Sequence, residues 1–321
     1  MYRQHLPQLD GGVFVTDGGI ETTLIFHQGL ELPEFAAFDL LNDDAGTEEL
    51  RRYFRPYAQL AREHGAGLVL ESPTWRANPD WAAKIGYSRE ELDALNRKAI
   101  ALMEELRDEY GDGAPFVISG CVGPQSDGYS PETLLTADEA EAYHSTQIGT
   151  FADTAADMIT AITMTYAEEA IGVTRAARKT GLPVVISFTV ETDGTLPNGQ
   201  PLARAIEQVD RETDRGTAYY MINCAHPTHF EAILEPGAPW VERIGGLRTN
   251  ASTKSHAELD EAEELDEGDP QDLAARHAAL KAQLPKVTVL GGCCGTDHRH
   301  VGAICDAWTA HVETEREATP A

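Results

Sequence analysis

Long apolar runs are missing from this chain of 321 residues: no segment approaches the length that spans a bilayer. The N-terminal stretch Met1 to Asp10 also lacks a basic start followed by an apolar core, so neither anchoring nor secretion is expected. Cysteine is scarce, with five residues, an odd number, spread widely. A small disulfide-stapled scaffold is thereby excluded, and a reducing cytoplasm is the expected compartment. Positive charge is the third shortage: 25 Lys and Arg face 53 Asp and Glu, a formal net charge of −28. Such an excess repels nucleic acid phosphates and anionic membranes, which leaves small molecules as the expected partners and is compatible with a homo-oligomer. Many of the acids fall in one run, Glu258 to Glu267, which reads as a solvated helix face or rim element. Only six of the basic residues are Lys, a bias in keeping with a surface adapted to high salt. Phosphate-cradling glycine motifs are absent too: no G-x-G-x-x-G follows the first strand pattern, and Asp17-Gly18-Gly19 is too short to serve as one.

What the chain does contain is a regular alternation. Short β-branched, apolar segments recur near Val13 to Thr16, Leu68 to Glu71, Phe116 to Gly120, Met158 to Ile162, Val184 to Val190, Tyr219 to Asn223, Ile244 to Leu247 and Val287 to Leu290. Helical patterns lie between them; Leu50, Phe54, Tyr57, Ala58 and Leu60 fall on one face of the first. Eight strands alternating with helices in a chain of this size predict a (β/α)8 TIM barrel in the α/β class, with a doubly wound open sheet as runner-up. The expected organisation is a single domain over 1–321, with its core at about 13–308 and a polar tail from Glu313.

Chemistry in a barrel of this kind sits where strands end. Those ends carry Asp17-Gly18-Gly19, Ser72, Cys121, Thr163, Glu191, Cys224, Asn250 and Cys293-Cys294. Cys224, Cys293 and Cys294 would therefore share one rim, and three thiolates from separate elements make a zinc site with its fourth position open. Gly291-Gly292 and Gly295 give the backbone the freedom to turn both vicinal sulfurs toward one ion. On these residues alone, a buried apolar pair and a redox pair stay open beside zinc.

The set Asp17-Gly18-Gly19, Gly123-Pro124, Asn223-Cys224 and Gly291-Gly292-Cys293-Cys294-Gly295, collinear from about Val13 to Trp308, resembles the homocysteine S-methyltransferase family. The resemblance implies a zinc-dependent barrel that moves a methyl group onto the thiol of homocysteine, giving methionine. It also implies that Cys224, Cys293 and Cys294 hold Zn2+ and are the catalytic set. Asp17, Gly18 and Gly19 would hold the amino-acid end of the acceptor, and Trp75 matches the aromatic of the loop after strand two. One position departs from the pattern: where relatives end strand four with Glu-Thr, this chain has Ile162-Thr163, and isoleucine cannot pair with an ammonium group. Glu21 and Glu191 are the rim acids expected to compensate; otherwise the acceptor is a different thiol or a selenol. Glu21, Thr163 and Asn250 complete the expected substrate contacts.

A free thiol is only a few per cent ionised at neutral pH, on the order expected from a pKa near 8.5, and coordination to zinc makes the thiolate dominant. The resemblance implies S-methylmethionine, S-adenosylmethionine or betaine as the methyl donor, and Trp75 and Tyr129 are candidate aromatic walls for a cationic one. Asn223 is expected to orient the rim rather than react, and Cys121 and Cys305 read as small buried residues. Two rival functions remain in view. One is a thiol oxidoreductase using Cys293-Cys294; the other is a non-catalytic barrel whose structural zinc is closed by a histidine such as His226 or His298, with His229 and His300 nearby.

Overall fold

A computed structural model describes the backbone of residues 1–129, 133–262 and 264–318, and side chains within those spans up to residue 310. Eight parallel strands close into a barrel in sequential order. They are β1 (Phe14–Val15), β2 (Gly67–Glu71), β3 (Phe116–Val122), β4 (Met158–Met164), β5 (Val184–Thr189), β6 (Tyr219–Asn223), β7 (Ile244–Thr249) and β8 (Val289–Gly292). The barrel expectation holds because every strand is buried on both faces and each is followed by a segment that packs back on the outside.

The helices form where local sequence permits. Helix Asp44–Glu63 starts on an Asp43 side chain that accepts from the Gly46 N–H, and it buries Leu50, Phe54, Tyr57 and Ala58. Helices Arg89–Tyr110 and Ala137–Ala152 begin with capping boxes, Ser88 with Glu91 and Thr136 with Glu139. Helix Ala167–Thr180 stops at Gly181, whose φ of 79° ends the helix in a conformation that suits glycine. The last helix runs His298–Ala318, so the polar tail expected from Glu313 continues as helix, and residues 319–321 lie outside the described chain. The acidic run gives only a short helix, His256–Asp260, and then leaves helical geometry. Among the described residues, no helix is long and apolar enough to cross a membrane.

Strand alternation sorts side chains into two cores. One lies between strands and helices; the other fills the barrel interior with Phe14, Val69, Val117, Met158, Val185 and Val289. The N-terminal segment plugs the lower end: Leu6 joins the interior cluster, and Gln8, fully buried, reaches Tyr219 Oη at 3.3 Å. Two residues further along the same inward faces the character changes. Glu71, Ser119, Thr160, Ser187, Asn223 and Arg248 replace aliphatic groups, all of them buried. Polar groups at that level mark the floor of a cavity that opens at the C-terminal ends of the strands.

Candidate metal centre and its cavity

Cys224 directly follows β6, and its backbone is bent into the left-handed region with φ 50°. Several bonds hold that bend. The Cys224 N–H donates to the Arg248 carbonyl at 3.1 Å, and the Cys224 carbonyl accepts from Asn250 Nδ2 at 3.1 Å and His256 Nε2 at 2.6 Å. Cys293 follows β8, and its N–H donates to the Thr249 carbonyl at 2.8 Å. The loops after β1 and β8 touch so closely that a Cβ on Gly19 would lie 2.6 Å from the Cys293 carbonyl oxygen. Glycine at that position is therefore demanded by packing.

The three sulfurs of Cys224, Cys293 and Cys294 lie within 4.8 Å of one another, the convergence expected of them. Cys224 and Cys293 are joined as a disulfide, with Cα atoms 5.3 Å apart, and Cys294 is a free thiol. The vicinal pair Cys293-Cys294 is thus not the bonded one, which corrects the redox pairing drawn from adjacency. Once reduced, three sulfurs this close fit a tetrahedral ion, since Zn–S bonds are about 2.3 Å. No histidine joins them among the described residues. His226 Nδ1 is engaged by Thr228 Oγ1 at 2.8 Å, His229 Nε2 by the Thr253 carbonyl, and His300 by Asp297 and the Glu267 carbonyl. His298 lies exposed at the start of the last helix. The closed structural site with a histidine ligand has no support in this geometry.

Tyr129 covers the sulfurs. Its hydroxyl donates to Cys224 Sγ at 3.2 Å and lies 3.7 Å from Cys294 Sγ, while its ring packs against His256 with centroids 4.5 Å apart. Burial, reinforced by Cys294, pushes the Tyr129 phenol well above its ordinary value, so it stays a donor. Burial also raises the Cys294 thiol, against the hydrogen bond from Tyr129. Without a cation, that thiol stays protonated at neutral pH.

A cavity of about 70 Å³ adjoins the sulfurs and is lined by Asp17, Gly18, Gly19, Glu21, Trp75, Thr163 and all three cysteines, so most of the expected contacts come together. Asn250 is the exception: its side chain supports the Cys224 carbonyl from behind and is absent from the cavity wall. Glu191 is also elsewhere, beside His256 at 3.3 Å on a wider vestibule. Cys121 lines the cavity, whereas Cys305 is fully buried in the outer core. Trp75 is fixed by a hydrogen bond from Nε1 to the Ile162 carbonyl at 3.3 Å.

Strand β4 shows how Ile162 and Thr163 both reach the cavity. Its register with β5 shifts between Ala161 and Met164, a bulge, and Thr163 has φ 65°. For a β-branched residue that conformation is strained by on the order of 1–3 kcal/mol. Asn223 holds it: its Oδ1 accepts from the Thr163 N–H at 3.0 Å and its Nδ2 donates to Thr163 Oγ1 at 2.9 Å. Bulges re-aim side chains, and this one turns two consecutive residues to one side.

Four residues in or beside the cavity escape a reading of the sequence: Glu71, Arg248, Tyr53 and His256. Arg248 Nη2 forms an ion pair with Asp17 Oδ1 at 2.9 Å, and Tyr53 donates to Asp17 Oδ2 at 2.9 Å. Arg248 also donates to the carbonyls of Gly292 and Gly18, at 3.1 and 3.2 Å. Burial works against the Arg248 charge, yet the Asp17 and Glu71 carboxylates hold its pKa above the ordinary value. Burial raises Asp17 in spite of Arg248 and Tyr53, and pushes the Glu71 carboxyl up to about 7. Glu21 is likewise pushed up to about 7 by burial. One signal for Glu71 was present: a lone charge closing the apolar strand Leu68-Val69-Leu70. Arg248 was hidden because β7 runs two residues past its expected end at Leu247.

Known proteins agree with this picture. The homocysteine S-methyltransferase family matches residues 14–308. Homocysteine S-methyltransferase 1 of Brassica oleracea var. italica is 22% identical over 319 residues, covering 92% of this chain and 93% of that protein. Among solved structures, the metallated form of the homocysteine methyltransferase MmuM from Escherichia coli superposes with a TM-score of 0.70 at 17% identity, covering 92% of this chain and 96% of that one. Its oxidized form gives 0.69 at 19% identity, covering 91% and 94%. With a match along nearly the whole barrel, this chain belongs to the homocysteine S-methyltransferase family and is a thiol methyltransferase.

Proposed function

We propose that the protein transfers a methyl group from a cationic donor to the thiol of homocysteine, giving methionine, with zinc held by Cys224, Cys293 and Cys294. The observation that carries this reading is three sulfurs within 4.8 Å at the end of a cavity lined by buried charges. Zinc bound there would keep an acceptor thiol ionised and nucleophilic at neutral pH. Because Tyr129 sits over the sulfurs, its hydroxyl must withdraw for an acceptor sulfur to approach. The proton of the acceptor thiol goes to solvent. As the new S–CH3 bond forms, the bond from that methyl to the donor heteroatom breaks, and the donor leaves as a neutral thioether or tertiary amine.

The donor side has its own support. A vestibule of about 830 Å³ shares Tyr129 with the inner cavity and carries Asp80, Asp127, Glu191 and Asp260. Its one lysine, Lys84, lies over the Trp81 ring at 3.6 Å. A predominantly acidic entrance favours a sulfonium or ammonium donor over an anionic one. The reduced protein should bind about one zinc per chain and transfer methyl from S-methylmethionine, S-adenosylmethionine or betaine to homocysteine. Zinc absent from reduced protein, or transfer undiminished by a chelator, would remove this reading. A second reading, a different thiol or selenol acceptor, is favoured by one observation: Ile162, which cannot pair with an ammonium group, lines the cavity beside Thr163.

A further inference from the structure

The floor of the inner cavity holds two buried charges of opposite sign, each with hydrogen-bonding capacity left over. Glu71 is 4% exposed, and its carboxylate oxygens make no hydrogen bond of good geometry among the described residues, although the Ser119 and Thr160 hydroxyls lie near enough to lower its pKa. The nearby Ser119 and Thr160 hydroxyls pair with each other at 2.7 Å. Glu71 also forms no ion pair within 4 Å among the described residues, although Arg248 lines the same cavity. Arg248, 5% exposed, uses Nε and Nη2 on Gly292, Gly18 and Asp17 but leaves Nη1 without a partner. A purely structural charge network would close these groups on each other, because an unsatisfied buried charge is costly.

We propose that Glu71 and Arg248 form the two ends of a cradle for the zwitterionic head group of an α-amino acid thiol. Glu71 receives the ammonium that Ile162 cannot, and Arg248 Nη1 donates to the carboxylate. Asp17 is a poorer ammonium acceptor: its Oδ2 accepts from Tyr53, and its Oδ1, though without a hydrogen bond of good geometry, is already neutralised by Arg248 Nη2 at 2.9 Å. Glu191 faces the vestibule, and Glu21 lies on the wall at the start of the loop helix Ile20–Thr22. The cradle places the head group between strands two and seven, with the thiol end of the ligand toward the three cysteines. The assignment rests on the reading of those cysteines as the acceptor-thiol site.

The test uses three matched thiols on the reduced, zinc-loaded full chain: homocysteine, amine-free 4-mercaptobutanoate and carboxylate-free 3-aminopropanethiol. Calorimetry should show homocysteine binding at least about tenfold more tightly than either of the others, the range for one charged hydrogen bond. In Glu71→Gln, homocysteine and 3-aminopropanethiol should weaken by about 10- to 100-fold while 4-mercaptobutanoate is unchanged. In turnover the loss should fall on KM, with kcat nearly kept, as expected for a positioning residue that is remote from the sulfur. Equal weakening of all three thiols, or no weakening, overturns the cradle. Should Glu71→Gln fail to fold, a wild type that binds the amine-free thiol as tightly as homocysteine overturns it by itself. If the wild type ranks the thiols as expected yet methylates none of them with any of the three donors, the cradle stands and the proposed reaction falls.

Discussion

The two ends of the barrel interior are built from the same alternation of inward-facing residues but obey opposite rules. The lower end is largely apolar, filled by Phe14, Val69, Val117 and Met158 and closed by the segment carrying Leu6 and Gln8. Two residues along those strands, the interior holds Glu71, Arg248 and Asn223, and above them the cysteines. The lower end contributes stability through burial; the upper end gives some of it up, keeping charges out of water and a threonine at positive φ. Within the barrel interior, the strained threonine and the open buried charges lie at the end where ligands would enter.

The comparison is broken most sharply at the sulfurs. Cys293→Ser should abolish zinc binding and lower methyl transfer by about 10³-fold or more, while circular dichroism and melting of the reduced protein stay close to wild type. A large fall in melting temperature with metal content intact would mean that the upper end is structural. The complementary change is Phe14→Ala at the lower end. It should cost about 3–5 kcal/mol in denaturant unfolding and leave turnover per folded molecule unchanged.

A pH series sharpens the boundary between the two regions. The Glu71 carboxyl stands at about 7 in the folded protein, pushed up by burial against Arg248, from an ordinary value of 4.5. The unfolded chain therefore releases this proton first, and stability falls as pH rises from about 4.5 to about 7. Glu71→Gln should remove its share of that slope and leave the share of Glu21, also raised to about 7: little change near pH 4, and a gain of up to about 3 kcal/mol above pH 8, measured by denaturant titration. A variant whose pH profile is parallel to wild type would show that Glu71 is not the buried acid responsible. Asn223→Ala should release Thr163 from its positive φ and cost about 2 kcal/mol, with transfer reduced by about tenfold. The smallest effect is expected from Tyr129→Phe. It removes the hydroxyl from the sulfurs but keeps the ring on His256, so activity should change by no more than about fivefold, read in homocysteine KM.

Much of this site could be read before any coordinates, because its ligands are rare residue types at strand ends. Cys224 and Cys293-Cys294 stood out as thiols in a chain nearly free of them, and the eight-strand rhythm put them on one rim. The floor could not be read in the same way. Arg248 lies beyond the expected end of β7, and its inward direction depends on strand length and register. The double exposure of Ile162 and Thr163 depends on a bulge that has no glycine or proline to announce it. The role of Asn250 shifted from ligand contact to support of Cys224 for a comparable reason: the loop turns its amide onto a carbonyl. His256 was hidden two residues before an acidic run whose charge pattern suggested a surface helix, yet its ring is turned inward against Tyr129.

Local chemistry alone determined the barrel and the thiol rim, since periodicity, residue type and order along the chain are properties of the string itself, whereas the departure at residue 162 was visible only through the family resemblance. Tertiary structure decided which charges meet. Arg248 lies more than 170 positions along the chain from both Asp17 and Glu71, and barrel closure brings the three together. Whether a buried carboxylate is satisfied or left open to a ligand is a matter of ångströms between elements distant in sequence, and no pattern along one strand carries that distance.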